Sequence, residues 1–82
     1  MLKKSPYYVF RVNGQRAFIE DAWVEAVIAN PEYRDVQDNG WHRFWGPVPE
    51  MDGRMLRVIT SEDEQTLENA FFDRGFSRRR NI

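Results

Sequence analysis

The sequence predicts a small α+β domain in which one main helix packs on a small antiparallel β-sheet, in the order β-β-α-β-β-β. Three observations lead to this fold class. Asn13-Gly14 separates two apolar stretches, residues 20–30 carry apolar side chains at helical spacing, and three stretches rich in strand-forming residues follow. Because 82 residues suffice for one core, we assign residues 1–76 to a single domain and residues 77–82 to a flexible basic tail.

The first two strands are predicted as a hairpin. Residues 7–12 are rich in tyrosine, valine and phenylalanine, which favour strands. Asn13-Gly14 is a strong signal for a two-residue turn because both residues tolerate positive φ. This register sets Arg11 opposite Arg16, a like-charge pair that costs stability unless an anion or a carboxylate lies between them. A solvent-exposed face explains the pair more simply.

The main helix is predicted over residues 20–30. Asn30-Pro31 ends it, and its apolar positions recur three and four residues apart, at Trp23, Val24, Val27 and Ile28. Residues 31–40 are expected to form a loop and the start of a strand, with a second turn at Asn39-Gly40.

An aromatic strand is predicted over residues 41–45, before the prolines at 47 and 49 end it. Alternation places His42 and Phe44 on one face and Arg43 on the other, between Trp41 and Trp45. The two tryptophans are expected to pack against the helix. In the other interpretation, the arginine and the indoles together hold a single-stranded base and its phosphate.

The last two strands are predicted over residues 55–60 and 65–72, joined by a four-residue loop. This loop length sets Thr60 opposite Gln65 and Arg57 opposite Glu68, so that an ion pair accounts for Arg57.

Composition narrows the functional classes. The net charge is −1, and the only basic concentration is the tail, Arg78 to Arg80, so the domain lacks the overall positive charge of most nucleic-acid-binding proteins. Cysteine is absent, which excludes a disulfide framework and a thiolate zinc site. We expect no metal site, because the carboxylates at 52 and 62–64 lie in turns without calcium-loop spacing, and no cofactor. The lack of a long apolar run favours a cytoplasmic protein without a membrane segment.

The segment from residue 17 to residue 75 resembles a small bacterial family grouped with the RelE and BrnT toxins. The resemblance rests on the helix end at Ala29-Asn30-Pro31-Glu32, the aromatic strand, Leu56 to Thr60, and the return at Asn69-Ala70-Phe71. It implies a compact fold with a basic sheet surface for RNA, similarity to ribonuclease toxins that cut messenger RNA, often on the ribosome, and a neutralising antitoxin-like protein as partner.

The resemblance implies either a metal-independent endoribonuclease, in which a ribose 2′-hydroxyl attacks the phosphate, or an inactive relative that only binds RNA. His42 is the candidate proton shuttle, since it is the only side chain with an unperturbed pKa near neutrality. Arg43, Arg57 and Arg74 are the candidate phosphate ligands, with Arg54 near the same sheet end. Alternatively, His42 has a structural role, and its ring forms hydrogen bonds within the fold.

A second hypothesis is a protein-interaction module or homodimer without enzymatic activity. The near-zero net charge favours it, and five aromatic residues exceed what one helix can shield, namely Trp41, Trp45, Phe71, Phe72 and Phe76.

Overall fold

The computed structural model describes residues 2–76, which form a five-stranded sheet in the order β1-β5-β4-β3-β2. The elements are β1 (Lys3–Lys4), α1 (Pro6–Tyr8) continuing into a π-helix (Val9–Gln15), α2 (Asp21–Ala29), β2 (Tyr33–Val36), β3 (His42–Val48), a 3-10 turn (Pro49–Met51), β4 (Arg54–Thr60) and β5 (Thr66–Phe72). The α+β class is confirmed. The sheet is mixed, however, because β1 pairs parallel with β5, whereas the other pairs are antiparallel.

The predicted N-terminal hairpin is wrong, because the chain is helical there. Ser5 caps this helix by accepting the Tyr8 N–H on its hydroxyl at 3.0 Å, and proline follows at the first helical position. Gly14 does not have the positive φ that the hairpin turn requires. Tyr8 and Val12, four residues apart, are both fully buried. Arg11 and Arg16 therefore do not face each other across strands.

The helix predicted over residues 20–30 is present as α2. It is not the one main helix of the predicted order β-β-α-β-β-β, because the segment from Pro6 to Gln15 is also helical and four strands follow α2. Val24 and Val27 bury its inner side against the sheet. A Cβ on Gly46 of β3 would lie 3.2 Å from Val27 Cγ2, so the glycine allows α2 to approach the strand closely. The core contains both helical segments and one face of the sheet, and its buried members are Tyr8, Val12, Ile19, Val24, Val27, Phe44, Val48, Leu56, Val58, Leu67 and Ala70.

β3 runs to Val48, so the prediction that prolines end it after Trp45 is wrong. Pro47 lies opposite Met55, whose carbonyl accepts a hydrogen bond from Asp73 N–H on the β5 side. The proline nitrogen therefore points away from β4, toward the side where β2 has already ended. The strand loses no ladder hydrogen bond to the proline.

The predicted register of β4 and β5 is also wrong. Thr60 lies opposite Leu67, and Arg57 lies opposite Phe71. The loop is displaced by one residue, because Ser61 N–H already bonds the Thr66 carbonyl at 2.9 Å. A β-bulge between Ile59 and Thr60 then shifts the register by one more residue, so that Arg57 does not face Glu68.

Between Leu2 and Phe76 there is no helix long and apolar enough to cross a membrane. The predicted basic tail at 77–82 lies outside the described residues.

Candidate functional site

A row of aromatic and arginine side chains crosses the sheet on the face away from α2. The register sets Tyr33 of β2, Trp45 of β3, Arg57 of β4 and Phe71 of β5 directly opposite one another. Their strand neighbours Phe44, Leu56 and Ala70 point into the core, so alternation directs the row to the other face. We call these four side chains the arginine–aromatic row.

Cations and rings alternate along this row. The Arg57 guanidinium carbon lies 5.3 Å from the Trp45 ring centroid and 5.2 Å from that of Phe71. Arg43 lies 5.4 Å from the Trp45 ring, and Arg16 lies 5.7 Å from the Phe71 ring. Each such contact contributes roughly 0.5–2 kcal/mol, depending on how far water is excluded. The row is therefore a continuous set of contacts between flat apolar rings and positive charge.

Trp45 is enclosed although it lies on the outer face. Only 2% of it is exposed. Phe76 stacks on it with centroids 5.3 Å apart and an interplanar angle of 28°, and Tyr33 lies 5.4 Å away. The expectation that Trp45 packs against the helix is wrong, because the rings and arginines of the opposite face bury it.

Asp73 links the row to the segment that carries Phe76. Its Oδ2 accepts the Trp45 indole N–H at 2.9 Å and lies 3.6 Å from Arg57 Nη1. Its Oδ1 accepts the backbone N–H groups of Gly75 at 2.9 Å and Phe76 at 3.0 Å. One carboxylate thus orients the indole, holds the arginine and shapes the turn that presents Phe76.

The arginines around the row differ in how their charge is balanced. Arg43 makes a bidentate ion pair with Asp35, at 2.6 and 2.8 Å. Arg16 donates from Nη1 to Asn69 Oδ1 at 3.0 Å and to the Ala70 carbonyl at 3.2 Å, both uncharged acceptors. No carboxylate within residues 2–76 lies within ion-pair distance of Arg16. Its charge therefore remains available to an anion at the β5 end of the row.

His42 lies on the opposite face from Arg43, and both of its ring nitrogens are engaged. Nδ1 accepts from Arg34 Nη2 at 3.1 Å, and Nε2 donates to the Glu62 carbonyl at 3.1 Å. The Glu64 carboxylate lies 3.7 Å from Nε2. In this tautomer the imidazole joins β2, β3 and the β4–β5 loop, which is the arrangement of a structural histidine.

Arg74 is exposed in the turn after β5 and lines a shallow pocket with Arg54 and Phe76. Asp52 and Asp73 line the same pocket, so its charge is mixed. The structure therefore brings Arg43 together with Arg57 and Arg54 together with Arg74.

Two members of this surface, Tyr33 and Asp73, lie outside the predicted strands. The sequence predicts Arg16 in a hairpin opposite Arg11, whereas in the structure it lies over the Phe71 ring. The only signal for the row was the alternation of Arg43 and Trp45; aligning Arg57 with Trp45 required the register of β3 and β4, which no sequence pattern fixed.

No group of three or more histidine or acidic side chains within residues 2–76 is placed to hold a metal ion. Comparison of the chain with protein-family models, curated proteins and solved structures found no match. The resemblance to the RelE and BrnT toxins thus remains a prediction from the residues that carry it.

Proposed function

We propose that this chain is a toxin-like RNA-binding domain of the RelE/BrnT type that binds single-stranded RNA across its arginine–aromatic row. The supporting observation is the alignment of Trp45, Arg57 and Phe71 in one register across three strands. Phe71 and Phe76, whose rings are partly exposed, provide stacking surfaces for any base, and the guanidinium groups beside them attract the phosphates. Trp45 is covered and supports this surface from below, since Phe76 stacks on it and Arg57 lies between its ring and that of Phe71.

In this proposal the domain binds RNA, and His42 does not act in cleaving it. A proton shuttle has to reach the 2′-hydroxyl at the phosphate that the arginines hold. His42 lies on the other face of the sheet, and its two nitrogens are bonded to Arg34 and Glu62.

Electrostatics support a modest affinity. Asp35 and Asp73 already balance Arg43 and Arg57, whereas Arg16 has no carboxylate partner among residues 2–76. A single-stranded ligand releases about 0.7 counterion per phosphate contact, so one to three arginine contacts give a log–log salt slope between roughly −0.7 and −2.

The test is fluorescence polarisation of a labelled single-stranded RNA with the wild-type protein and two matched variants. Arg57→Gln and Arg54→Gln remove the same charge from the same strand on opposite faces. We expect Arg57→Gln to weaken binding several-fold and Arg54→Gln to leave it unchanged. Equal effects of the two variants, or no binding at low salt, would contradict the proposal.

A parallel incubation of RNA with EDTA tests for cleavage. We expect intact RNA. Cleavage that disappears in His42→Gln would replace the binding role with the ribonuclease role.

A second candidate function is protein binding through the N-terminal helical segment. This function is supported by a set of exposed apolar side chains in and just after this segment: Phe10 is 63% exposed, Phe18 58% and Val9 50%. These are not the aromatic residues that the sequence singled out, since Trp45 is buried and none of the other four is fully exposed. Sedimentation of wild-type protein and Phe10→Ser across a concentration series tests self-association; a monomer at all concentrations would exclude a homodimer through this surface.

A further inference from the structure

We propose that a hollow beside the arginine–aromatic row is a subsite for one guanine base, whose edge is recognised by Glu68 and Asn69. The inference rests on the proposed RNA-binding role of the row and adds a preference for one base to it.

The hollow lies on the face of the sheet away from α2 and has a volume of about 280 Å³. Its lining consists of Tyr7, Gln37, Trp41, Ile59, Glu68 and Asn69. Ile59 of β4 is 7% exposed and lies between β3 and β5. Tyr7 belongs to α1, and Trp41 directly precedes β3, so two aromatic rings from different parts of the chain line the same space. This volume is near the lower end for small-ligand sites, which suits a single base.

The β-bulge explains why two consecutive polar side chains line the hollow. Ile59 lies opposite Asn69, whereas the next residue of β4 lies opposite Leu67. Glu68 is therefore the extra residue of the bulge. In a regular strand Glu68 and Asn69 would point to opposite faces of the sheet, but a bulge re-aims a side chain, and here both line the hollow.

The hydrogen-bonding groups of these two side chains match the Watson–Crick edge of guanine. Asn69 Oδ1 accepts from Arg16 Nη1 at 3.0 Å, and arginine can only donate, so Nδ2 is the group that Asn69 offers to a ligand. The ionised Glu68 carboxylate only accepts, and no cation within residues 2–76 forms an ion pair with it. Guanine presents the acceptor O6 beside two donors, N1–H and N2–H, which the amide and the carboxylate satisfy in this order. Adenine presents an acceptor at N1, which the carboxylate repels.

Two arginines beside the hollow favour a nucleotide over a cationic ligand. Aromatic rings with a carboxylate would also suit a quaternary ammonium group. The Arg11 guanidinium carbon, however, lies 5.5 Å from the Tyr7 ring centroid, and Arg16 is bonded to Asn69 at the edge of the hollow. Neither arginine forms an ion pair with a carboxylate of the described chain. Their charge repels an ammonium group and attracts the phosphate that accompanies a base.

The hollow adjoins the row, so that one RNA strand can occupy both. Ile59 is two residues from Arg57 along β4, and Asn69 is two residues from Phe71 along β5, which is about 7 Å in each case. A pair of hydrogen bonds to one base edge changes the affinity between matched and mismatched bases by about tenfold. The bound RNA should therefore be selected for guanine at one position.

The experiment is fluorescence polarisation with two labelled RNAs, UUGUU and UUAUU, which differ only in the central base. We expect the wild-type protein to bind UUGUU about tenfold more tightly. Glu68→Gln places an NH₂ group against a guanine donor and should reduce this ratio to about one. Glu25→Gln is the matched control, because it removes the same charge from an exposed position of α2 on the other side of the sheet, and it should keep the ratio.

A second pair of variants tests the aromatic wall. Tyr7→Leu removes the ring and should weaken the binding of UUGUU, whereas Tyr7→Phe keeps the ring and should bind it like the wild type. Circular dichroism of each variant verifies that it is folded.

Equal affinity of the wild type for the two RNAs, or an unchanged ratio in Glu68→Gln, would overturn the subsite while RNA binding that depends on Arg57 remains. Binding of tetramethylammonium that is lost in Glu68→Gln, without a preference for guanine, would assign the hollow to a cation and also overturn the inference. Failure of every protein to bind either RNA would refute the proposed function as well.

Discussion

Replacing Asp73 with asparagine should destabilise the domain by about 2–3 kcal/mol. In the wild type, Oδ2 accepts the Trp45 indole N–H at 2.9 Å, and Oδ1 accepts two N–H groups of the following turn. An amide has only one accepting oxygen, so either the indole or the turn is left facing an NH₂ group. A buried donor without an acceptor costs about 1–3 kcal/mol, and the weakened ion pair with Arg57 adds up to about 1 kcal/mol.

The assay is denaturation by urea and by heat, monitored by tryptophan fluorescence and circular dichroism. For a domain of this size, a loss of about 2–3 kcal/mol corresponds to a decrease in melting temperature of roughly 10–20 °C. Asp52→Asn is the control, since it removes the same charge beside the same pocket. Asp52 has φ 58°, a conformation that asparagine tolerates, so this variant should change stability by less than about 0.5 kcal/mol. Similar midpoints for both variants would refute the role assigned to Asp73.

Three further predictions concern the core and the N-terminal helix. Tyr8→Phe should stabilise the domain by about 1 kcal/mol, because the buried hydroxyl has no hydrogen-bond partner among residues 2–76; Tyr7→Phe, at a 48% exposed position, should have no effect. Gly14→Ala should stabilise the helix by about 0.4–1 kcal/mol, since the added Cβ meets only the Val9 carbonyl at 3.6 Å. Gly46→Ala should destabilise by about 1–3 kcal/mol through the 3.2 Å approach to Val27.

Thermal and urea denaturation of each variant checks these values. Gly14→Ala also distinguishes the two N-terminal folds, because a hairpin turn with positive φ would be destabilised by alanine. For Tyr8, burial first and then the carboxylates of Asp21 and Glu25 raise the pKa of the hydroxyl. A loss of stability in Tyr8→Phe would show that this hydroxyl has a partner.

The local signals of the sequence were sufficient for α2 and for β3, β4 and β5, but not for β2, which lies in residues predicted as a loop. The apolar spacing around Val24 and Val27 and the strand formers around Val58 recur in the structure as predicted. The N-terminal prediction is wrong because the turn signal Asn13-Gly14 is overridden by Ser5-Pro6, a helix-start signal that the Ser5 hydroxyl fulfils.

The site depended on information that is not local. Arg57 reaches Trp45, Phe71 and Asp73 only in the observed register, which depends on a one-residue loop displacement and a bulge. The sequence of residues 61–66 has no pattern that would predict the displaced loop or the bulge in place of the predicted four-residue loop. The predicted ion pair between Arg57 and Glu68 is therefore absent although both of its strands were predicted.

We expect the parallel pairing of β1 with β5 to form late in folding. Lys3 and Lys4 bond the strand that contains Thr66 and Leu67, at the far end of the described chain. β2 to β5 pair with near neighbours, whereas β1 must close a loop around nearly the whole domain. The four antiparallel strands can therefore pair first, and β1 then pairs with β5. Under mildly denaturing conditions, β1 and the helical segment after it should detach before the antiparallel strands separate.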